Sequence, residues 1–178
     1  MSIMSVAVLW IYIATVVACF GAAIHGRLSK APGFNAWTAI SMALIVLGAF
    51  RLFNGEDFVR NFLRESVRRA GHYDDRTPFQ MAALVIAIVL AVALIWLAWR
   101  YWPRARSGRM NQAVAVARLS LLAFLPLYSV RIISLHATDA LLYAGPIRLN
   151  WVLELGLLVT ILAAAVTYQR TARRWKNS

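Results

Sequence analysis

The sequence predicts an all-α fold: a membrane-embedded bundle of about five transmembrane helices plus one interfacial amphipathic helix, in a single domain covering residues 1–178. Hydrophobic residues make up 61% of the chain and charged residues only 15%, whereas soluble domains are about half apolar and about a quarter charged. Several apolar segments also approach the roughly 20 residues that a helix needs to cross a bilayer. A soluble fold of this length cannot bury so much apolar surface, so a bilayer is the expected solvent.

Five segments have the length and composition of membrane spans. The expected spans are residues 5–24, 36–53, 81–99, 113–142 and 151–168. The third has no charged residue, the fourth contains Arg118 and Arg131, and the fifth contains Glu154. A cleaved signal peptide is the alternative for the first span, but residues 1–4 lack the basic segment of such peptides. In the fourth span, Pro126 predicts a kink.

Basic residues mark one side of the predicted topology. On one side of the predicted topology, the ends of the spans are flanked by basic residues that have no acidic partners. On the other side, the long loop after span two contains as many acidic as basic residues. By the positive-inside rule, the unbalanced group faces the cytoplasm. It comprises Arg27, Lys30, Arg100, Arg104, Arg106, Arg109, Arg170, Arg173, Arg174 and Lys176. We therefore expect the N-terminus outside and the C-terminus in the cytoplasm.

Two features of the composition exclude other classes of protein. The net charge is +12, but the basic residues lie at the ends of apolar segments and form no continuous patch, so no nucleic-acid partner is expected. Cys19 is the single cysteine, which excludes an intramolecular disulfide and a thiolate metal cluster.

An amphipathic helix is predicted in the loop between spans two and three, at about residues 55–70. Phe58 and Phe62 recur at helical spacing, and arginines occupy the other face. Asn54 is in position to serve as its N-cap. This helix either lies flat on the outer membrane interface or packs across the mouth of the bundle.

Ionisable residues within the spans gather toward the predicted outer side. Each costs about 2.5–3.5 kcal/mol on insertion scales, so such residues usually face the bundle interior and pair. Helical spacing places His136 and Asp139 on one face of span four. The hairpin of spans four and five suggests an ion pair between Arg131 and Glu154. The candidates for an ion pair or for an anionic-ligand site are Arg51, Arg131, Asn150 and Glu154.

The same region admits catalytic and metal-binding interpretations. His136, Asp139 and Glu154 are the candidate catalytic residues, because an imidazole beside a carboxylate can act as a general base. With His72 from the second loop, these three are also candidate ligands for zinc or a harder divalent ion. No established catalytic or phosphate-binding motif accompanies them. The sequence assigns no cofactor.

Residues 131–139 read RIISLHATD, residues 148–155 read RLNWVLEL, and the loop segment 69–80 reads RAGHYDDRTPFQ. These segments resemble a family of small bacterial polytopic inner-membrane proteins of unassigned function. The family pattern has a second histidine where this chain has Ala137, and a tryptophan where it has His72. The resemblance covers about half the chain and implies a bacterial inner-membrane location. The missing histidine argues against a two-histidine metal site.

The sequence favours a non-catalytic inner-membrane protein: an accessory subunit of a larger complex, or a binder of a small ligand or lipid at an outward-facing polar cluster. A small intramembrane enzyme, with His136 and Asp139 as an acid–base pair, is one alternative. An oligomeric channel or transporter is the other, although the sequence lacks the interrupted helix pair that transporters place at midplane. The expected partners are the lipid bilayer and either other membrane subunits or further copies of the chain.

Overall fold

The computed structural model is an α-helical bundle and describes residues 3–55, 58–59, 61–62, 65, 76–105, 108–133 and 149–176. Its helices are α1 (Ile3–Leu28), α2 (Phe34–Leu52), α3 (Arg76–Ala105), α4 (Arg109–Leu122), α5 (Phe124–Ile133) and α6 (Leu149–Lys176). This described part of the chain contains no β-strand. The predicted all-α class is therefore confirmed.

Four helical segments among the described residues are long and apolar enough to cross a membrane. They are Ala7–Leu28, Phe34–Leu52, Arg109–Ser129 and Trp151–Arg174, and they overlap predicted spans one, two, four and five. Among the described side chains of α3, residues Val85–Ala98 form an apolar stretch. A membrane location fits these helices, while the count of five spans stays a prediction.

The predicted fourth span is not one continuous helix. It begins at Arg109, earlier than expected, and is interrupted at Ala123 between α4 and α5. Pro126 lies three residues beyond the interruption; it has no N–H to donate to the carbonyl of Leu122, and its ring crowds that turn. The interruption lies where the proline predicts a kink. The rest of this predicted span, residues 134–142, lies outside the described residues.

Helices α1 and α6 pack side by side and run in the same direction. Tyr12 contacts Glu154 near their starts, and His25 contacts Arg173 near their ends. Each helix buries one stripe with alternating spacings of four and three residues, which is the pattern of a coiled-coil seam. The stripe of α1 is Val8, Tyr12, Thr15, Cys19, Ala22 and Gly26; that of α6 is Glu154, Leu158, Ile161, Ala165, Tyr168 and Ala172.

Helices α1, α2, α4 and α6 form the core of the bundle. Contacts of α1 with α2 and α6, and of α4 with α2 and α6, close this arrangement. Helix α3 lies at the edge, where it packs against α4 and α5. Its Ala87 is buried, whereas Val89, Val92 and Ile95 are exposed. Apolar side chains exposed on an edge helix are suited to solvation by lipid.

The two ends of the bundle carry different contacts. At one end, which we call the cluster end, Tyr12 of α1, Arg51 of α2 and Glu154 of α6 meet. At the opposite end, the Tyr168 hydroxyl donates a hydrogen bond to the Pro32 carbonyl at 2.9 Å. The second end, which we call the basic end, comprises Arg27, Lys30, Arg109, Arg170, Arg173 and Arg174. It gathers helix ends that the sequence assigned to one side of a membrane, while the identity of that side stays a prediction.

The segment after α2 is helical at residues 55, 58, 59, 61, 62 and 65. The Phe58 amide donates to the Asn54 carbonyl at 3.2 Å, and Asn54 has a left-handed backbone with φ 50°. A side-chain N-cap by Asn54 stays a prediction. Phe58 and Phe62 are exposed. Residues 66–75, which include His72, lie outside the described residues, and the choice between an interfacial helix and a cap on the bundle stays a prediction.

Candidate functional site

A buried carboxylate is the centre of the polar contacts at the cluster end. Glu154 faces the core from the second turn of α6 and has no exposed surface. Its Oε2 lies 2.7 Å from Nη1 of Arg51, and its Oε1 accepts a hydrogen bond of 3.0 Å from the Tyr12 hydroxyl. Both carboxylate oxygens are therefore engaged, one by a cation on α2 and the other by a neutral donor on α1.

A second tyrosine extends this network to the interrupted span. The Tyr12 and Tyr128 hydroxyl oxygens are 3.3 Å apart. Because Tyr12 donates its one proton to Glu154, Tyr128 is the donor in this contact. We call Tyr12, Arg51, Tyr128 and Glu154 the Glu154 cluster. It joins α1, α2, α5 and α6 in a single hydrogen-bonded unit.

Aromatic rings enclose the cluster on the side of α5. Phe124 and Tyr128 are stacked with centroids 6.1 Å apart, and Phe50 meets Tyr128 edge-on at 5.8 Å. Tyr12 lies at 6.4 Å from Phe124. Glu154 itself has no exposed surface, and such burial strengthens the electrostatic contacts of the carboxylate and raises the penalty for leaving it without a partner.

The α2 sequence places Arg51 where it can reach this carboxylate. Trp37, Ser41, Leu44, Gly48 and Arg51 follow the same alternation of four and three residues, so they share the face turned to the core. Gly48 also lies against Tyr12, where an added Cβ would be 3.5 Å from Cδ1. The Arg51 side chain is 16% exposed and that of Glu154 is 0% exposed, so the cluster reaches the surface through its arginine.

The chemistry of this arrangement is that of a crosslink. A charge-assisted hydrogen bond to arginine is stronger than a neutral one, and breaking a buried ion pair strongly destabilises a fold. A general base needs a carboxylate free to take a proton from a substrate. Glu154, with both oxygens engaged by Arg51 and Tyr12, is poorly placed for that role.

The structure brings together two of the residues that the sequence singled out, Arg51 and Glu154. The side chains of Arg131 and Asn150 lie outside what the structure describes, so the Arg131–Glu154 ion pair stays a prediction. Three further candidates lie wholly outside the described residues: His72, His136 and Asp139. The catalytic and metal-binding interpretations depend on them and also stay predictions. Within the described residues, no group of three or more His, Cys, Asp or Glu could hold a metal ion.

Sequence reasoning missed the two tyrosines of the cluster. Tyr12 lies in an apolar span, and its place in the alternating stripe of α1 marks it as facing the core. Tyr128 lies one turn beyond Phe124 on the interrupted span. A buried tyrosine hydroxyl usually finds a hydrogen-bond partner. The positions of Tyr12 and Tyr128 on their helices could therefore have predicted that both tyrosines join a polar network in the core.

Two other buried polar atoms have no such partner in the described part of the chain. They are Nε1 of Trp37 and Oγ of Ser41, one turn apart on α2. The Trp37 ring packs against Tyr168, with centroids 5.3 Å apart. Among the described residues, buried polar groups thus have hydrogen-bond partners at the cluster end, whereas these two in the first half of α2 have none.

One charged side chain points away from the bundle within a span. Arg118 lies on α4, nine residues after Arg109, or about 13 Å along the helix at 1.5 Å per residue, and it is exposed. The opposite face of α4 is buried through Ala113, Val114 and Ala117. Its guanidinium has no hydrogen-bond or ion-pair partner among the described residues.

Comparisons with protein-family models, with curated proteins and with solved structures found no match to this chain. The family resemblance of the loop and the last two spans accordingly stays a prediction.

Proposed function

We propose that this chain is a non-catalytic multi-pass protein of the bacterial inner membrane, with its N-terminus outside, that serves as an accessory subunit of a larger membrane complex. The observation that carries the proposal is the exposed Arg118 in the middle of the helical segment Arg109–Ser129, which is long and apolar enough to span a bilayer. Ionisable residues in spans usually face a bundle interior and pair with a partner. Because Arg118 lies on the outer surface of this chain, we expect its partner to be a residue of another subunit.

The Glu154 cluster supports the non-catalytic part of the proposal. Both oxygens of its carboxylate are engaged within the bundle, so the polar groups of this cluster act as crosslinks between helices. Crosslinks of this kind favour a rigid surface that a partner can recognise with little loss of conformational entropy.

The chemistry of Arg118 defines the expected partner. A spanning helix with an aspartate or glutamate facing α4 would neutralise the guanidinium and accept its hydrogen bonds. Of the seven acidic residues of this chain, only Asp139 and Glu154 lie within predicted spans, and Glu154 is engaged by Arg51 and Tyr12. A second copy therefore offers Asp139 alone within a span, which favours a different protein as the partner.

Site-specific photo-crosslinking in the host membrane tests this proposal. A benzophenone amino acid replaces Leu125, which is exposed two turns beyond Arg118; matched controls replace Val17 on α1 and Val92 on α3, which are also exposed. We expect one discrete adduct with another protein at position 125 only, lost in Arg118→Glu and retained in Arg118→Lys. Three results would each overturn the proposal: no adduct at 125, the same adduct at all three positions, or an adduct of twice the chain mass.

The alternative of an intramembrane enzyme has its own readout. If the purified protein turned over a substrate and lost that turnover in His136→Ala, the non-catalytic interpretation would be wrong, whatever the crosslinking result.

A further inference from the structure

The last turns of α1 and α6 meet at the basic end through two basic side chains. Nη2 of Arg173 lies 3.2 Å from Nε2 of His25. Since a guanidinium has no acceptor, it is the donor, and the histidine must offer the lone pair of a neutral ring. The contact positions Arg173 without neutralising it, so its full positive charge stays at the surface.

Further positive charges lie at the same end of the bundle. The side chains of Arg27, Arg170 and Lys30 are exposed. The Lys30 backbone amide donates a hydrogen bond to the Arg27 carbonyl at 3.2 Å. None of these three side chains has a hydrogen-bond or ion-pair partner within the described part of the chain. No acidic residue occurs in residues 1–55 or 155–178. The charge of this region must therefore be balanced by something outside these segments.

The backbone beneath these charges is held in a fixed position. The Tyr168 hydroxyl bonds the Pro32 carbonyl, and Gly26 lies so close that an added Cβ would be 2.6 Å from that hydroxyl and 2.8 Å from Cβ of Phe34. Nε2 of Gln169 also donates to the Ala18 carbonyl at 2.7 Å. The ends of α1 and α6 and the loop that contains Pro32 are thus in direct contact, and the basic side chains lie on a preformed surface.

Apolar side chains continue from the charges along the outside of α1. Phe20, Ile24 and Leu28 are all exposed, and they occupy the turns next to Arg27 on a helix that is long enough to span a membrane. A ligand that fits this surface has an anionic group at the level of the helix ends and hydrocarbon chains along the helix. An amphipathic lipid has both parts, whereas a free anion has only the first.

We propose that the surface formed by the C-terminal turns of α1 and α6 is a binding site for the phosphate of an anionic phospholipid, with Arg170 and Arg173 as its ligands and Arg27 and Lys30 as further positive charges on the α1 side. Arginine suits this role because its planar fork donates two parallel hydrogen bonds to phosphate oxygens. Clusters of basic residues next to spans are a recurrent site for anionic headgroups. The acyl chains follow Phe20, Ile24 and Leu28 of α1.

Lipid retention by the purified full-length chain tests the site. Native mass spectrometry after incubation with mixed micelles of phosphatidylglycerol and phosphatidylcholine counts the lipids held by each chain. We expect one phosphatidylglycerol to be retained preferentially, and at least a tenfold loss of this retention in the double variant Arg170→Gln/Arg173→Gln. The matched control, Arg100→Gln/Arg109→Gln, removes the same charge at two other exposed arginines and is expected to retain the lipid.

Three outcomes would overturn the proposal. Equal loss in both double variants would show general attraction to a positive surface and no site. Equal retention of the two lipids by the parent chain would remove the role of the negative headgroup. Release of phosphatidylglycerol by inorganic phosphate at moderate concentration would identify an anion site that does not need the acyl chains. Unchanged circular dichroism of both double variants ensures that the comparison concerns folded protein.

Discussion

The two ends of the bundle treat the same residue type in opposite ways. At the cluster end, Arg51 is mostly buried, and a carboxylate of the same chain lies 2.7 Å away. At the basic end, Arg27, Arg170 and Arg173 are exposed, and the nearest sequence segments contain no acid. The difference follows from burial: the mostly buried Arg51 needs a partner within the fold, whereas an exposed arginine at a helix end can be balanced by the surroundings.

This contrast has a mechanical side. The cluster end is held together by charge and hydrogen bonds among Tyr12, Arg51, Tyr128 and Glu154. The basic end is held by close backbone approach and one tyrosine bond. Mutations at the cluster end should therefore act by removing charged and hydrogen-bonded contacts, whereas mutations at the basic end should act mainly by creating steric overlap.

The largest effect is expected from Glu154→Leu at the cluster end. It leaves Arg51 and Tyr12 without their shared acceptor, and breaking a buried pair costs about 3–5 kcal/mol, with the partial exposure of Arg51 favouring the lower value. The free energy of unfolding in mixed SDS micelles measures the loss. Glu154→Gln, which keeps an acceptor, should lose less. A Glu154→Leu protein that unfolds at the same SDS fraction as the parent would show that the cluster contributes no stability.

At the basic end, Gly26→Ala should give the next largest loss. The new methyl group would stand 2.6 Å from the Tyr168 hydroxyl, and overpacking of this kind costs about 1–3 kcal/mol. Gly156→Ala on α6 is the matched control, because nothing lies within 4 Å of its added Cβ. Because alanine favours a helix over glycine by up to about 1 kcal/mol, Gly156→Ala should be at least as stable as the parent. Equal behaviour of the two variants in the same SDS titration would contradict the close approach.

A comparison of Tyr12→Phe with Tyr168→Phe separates the two ends directly. Tyr12→Phe removes contacts to both Glu154 and Tyr128, and a buried charged acceptor that loses a donor costs about 1–3 kcal/mol. Tyr168→Phe removes one bond to a backbone carbonyl, for which about 0.5–1.5 kcal/mol is typical. The melting temperature in detergent should be lower for Tyr12→Phe than for Tyr168→Phe. The reverse order would mean that the basic end carries more hydrogen-bond stability.

Ser41→Ala should be nearly neutral, although Ser41 is as deeply buried as the cluster. Its Oγ has no hydrogen-bond partner among the described residues, so removal of the hydroxyl takes away a desolvation penalty and no bond. The same unfolding assay applies, and a loss above about 1 kcal/mol would reveal a bound water or ligand at this hydroxyl.

Arg173→Gln should have the smallest effect on stability. Exposed polar contacts typically contribute about 0–1 kcal/mol, and His25 is its one described partner. Thermal unfolding in phosphatidylcholine micelles is expected to match the parent, while unfolding in phosphatidylglycerol micelles should fall below it. A lower melting temperature in both lipids would assign Arg173 a structural role.

The sequence predicted the helices better than the contacts between them. Hydropathy alone located the segments that became α1, α2 and α6, because a membrane span is a local property of about 20 residues. It also marked Arg51 and Glu154 as costly inside a membrane. It did not pair them with each other, since the partner of a buried charge depends on which helices are neighbours, and hydropathy carries no information about that.

The alternating stripes held part of the missing information. Val8, Tyr12 and Thr15 on α1 repeat the spacing of Glu154, Leu158 and Ile161 on α6, and this spacing is typical of helices packed along a seam. Read together, the stripes would have placed Tyr12 in the core. The interruption at Ala123 was easier, because Pro126 acts within its own turn. His136 and Asp139 lie outside the described residues, so the predictions that depend on them stay untested.

The packing of α1 against α6 has a consequence for the order in which the protein is made. Arg51 enters the membrane with α2, but its carboxylate lies 103 residues further along the chain. During synthesis at about 5–20 residues per second, the arginine thus precedes Glu154 by several seconds. For that interval α1 and α2 hold a charged side chain whose native counterion has not yet left the ribosome. The nascent bundle must meanwhile be stabilised by lipid headgroups, water or the insertion machinery, and it closes when α6 arrives beside α1.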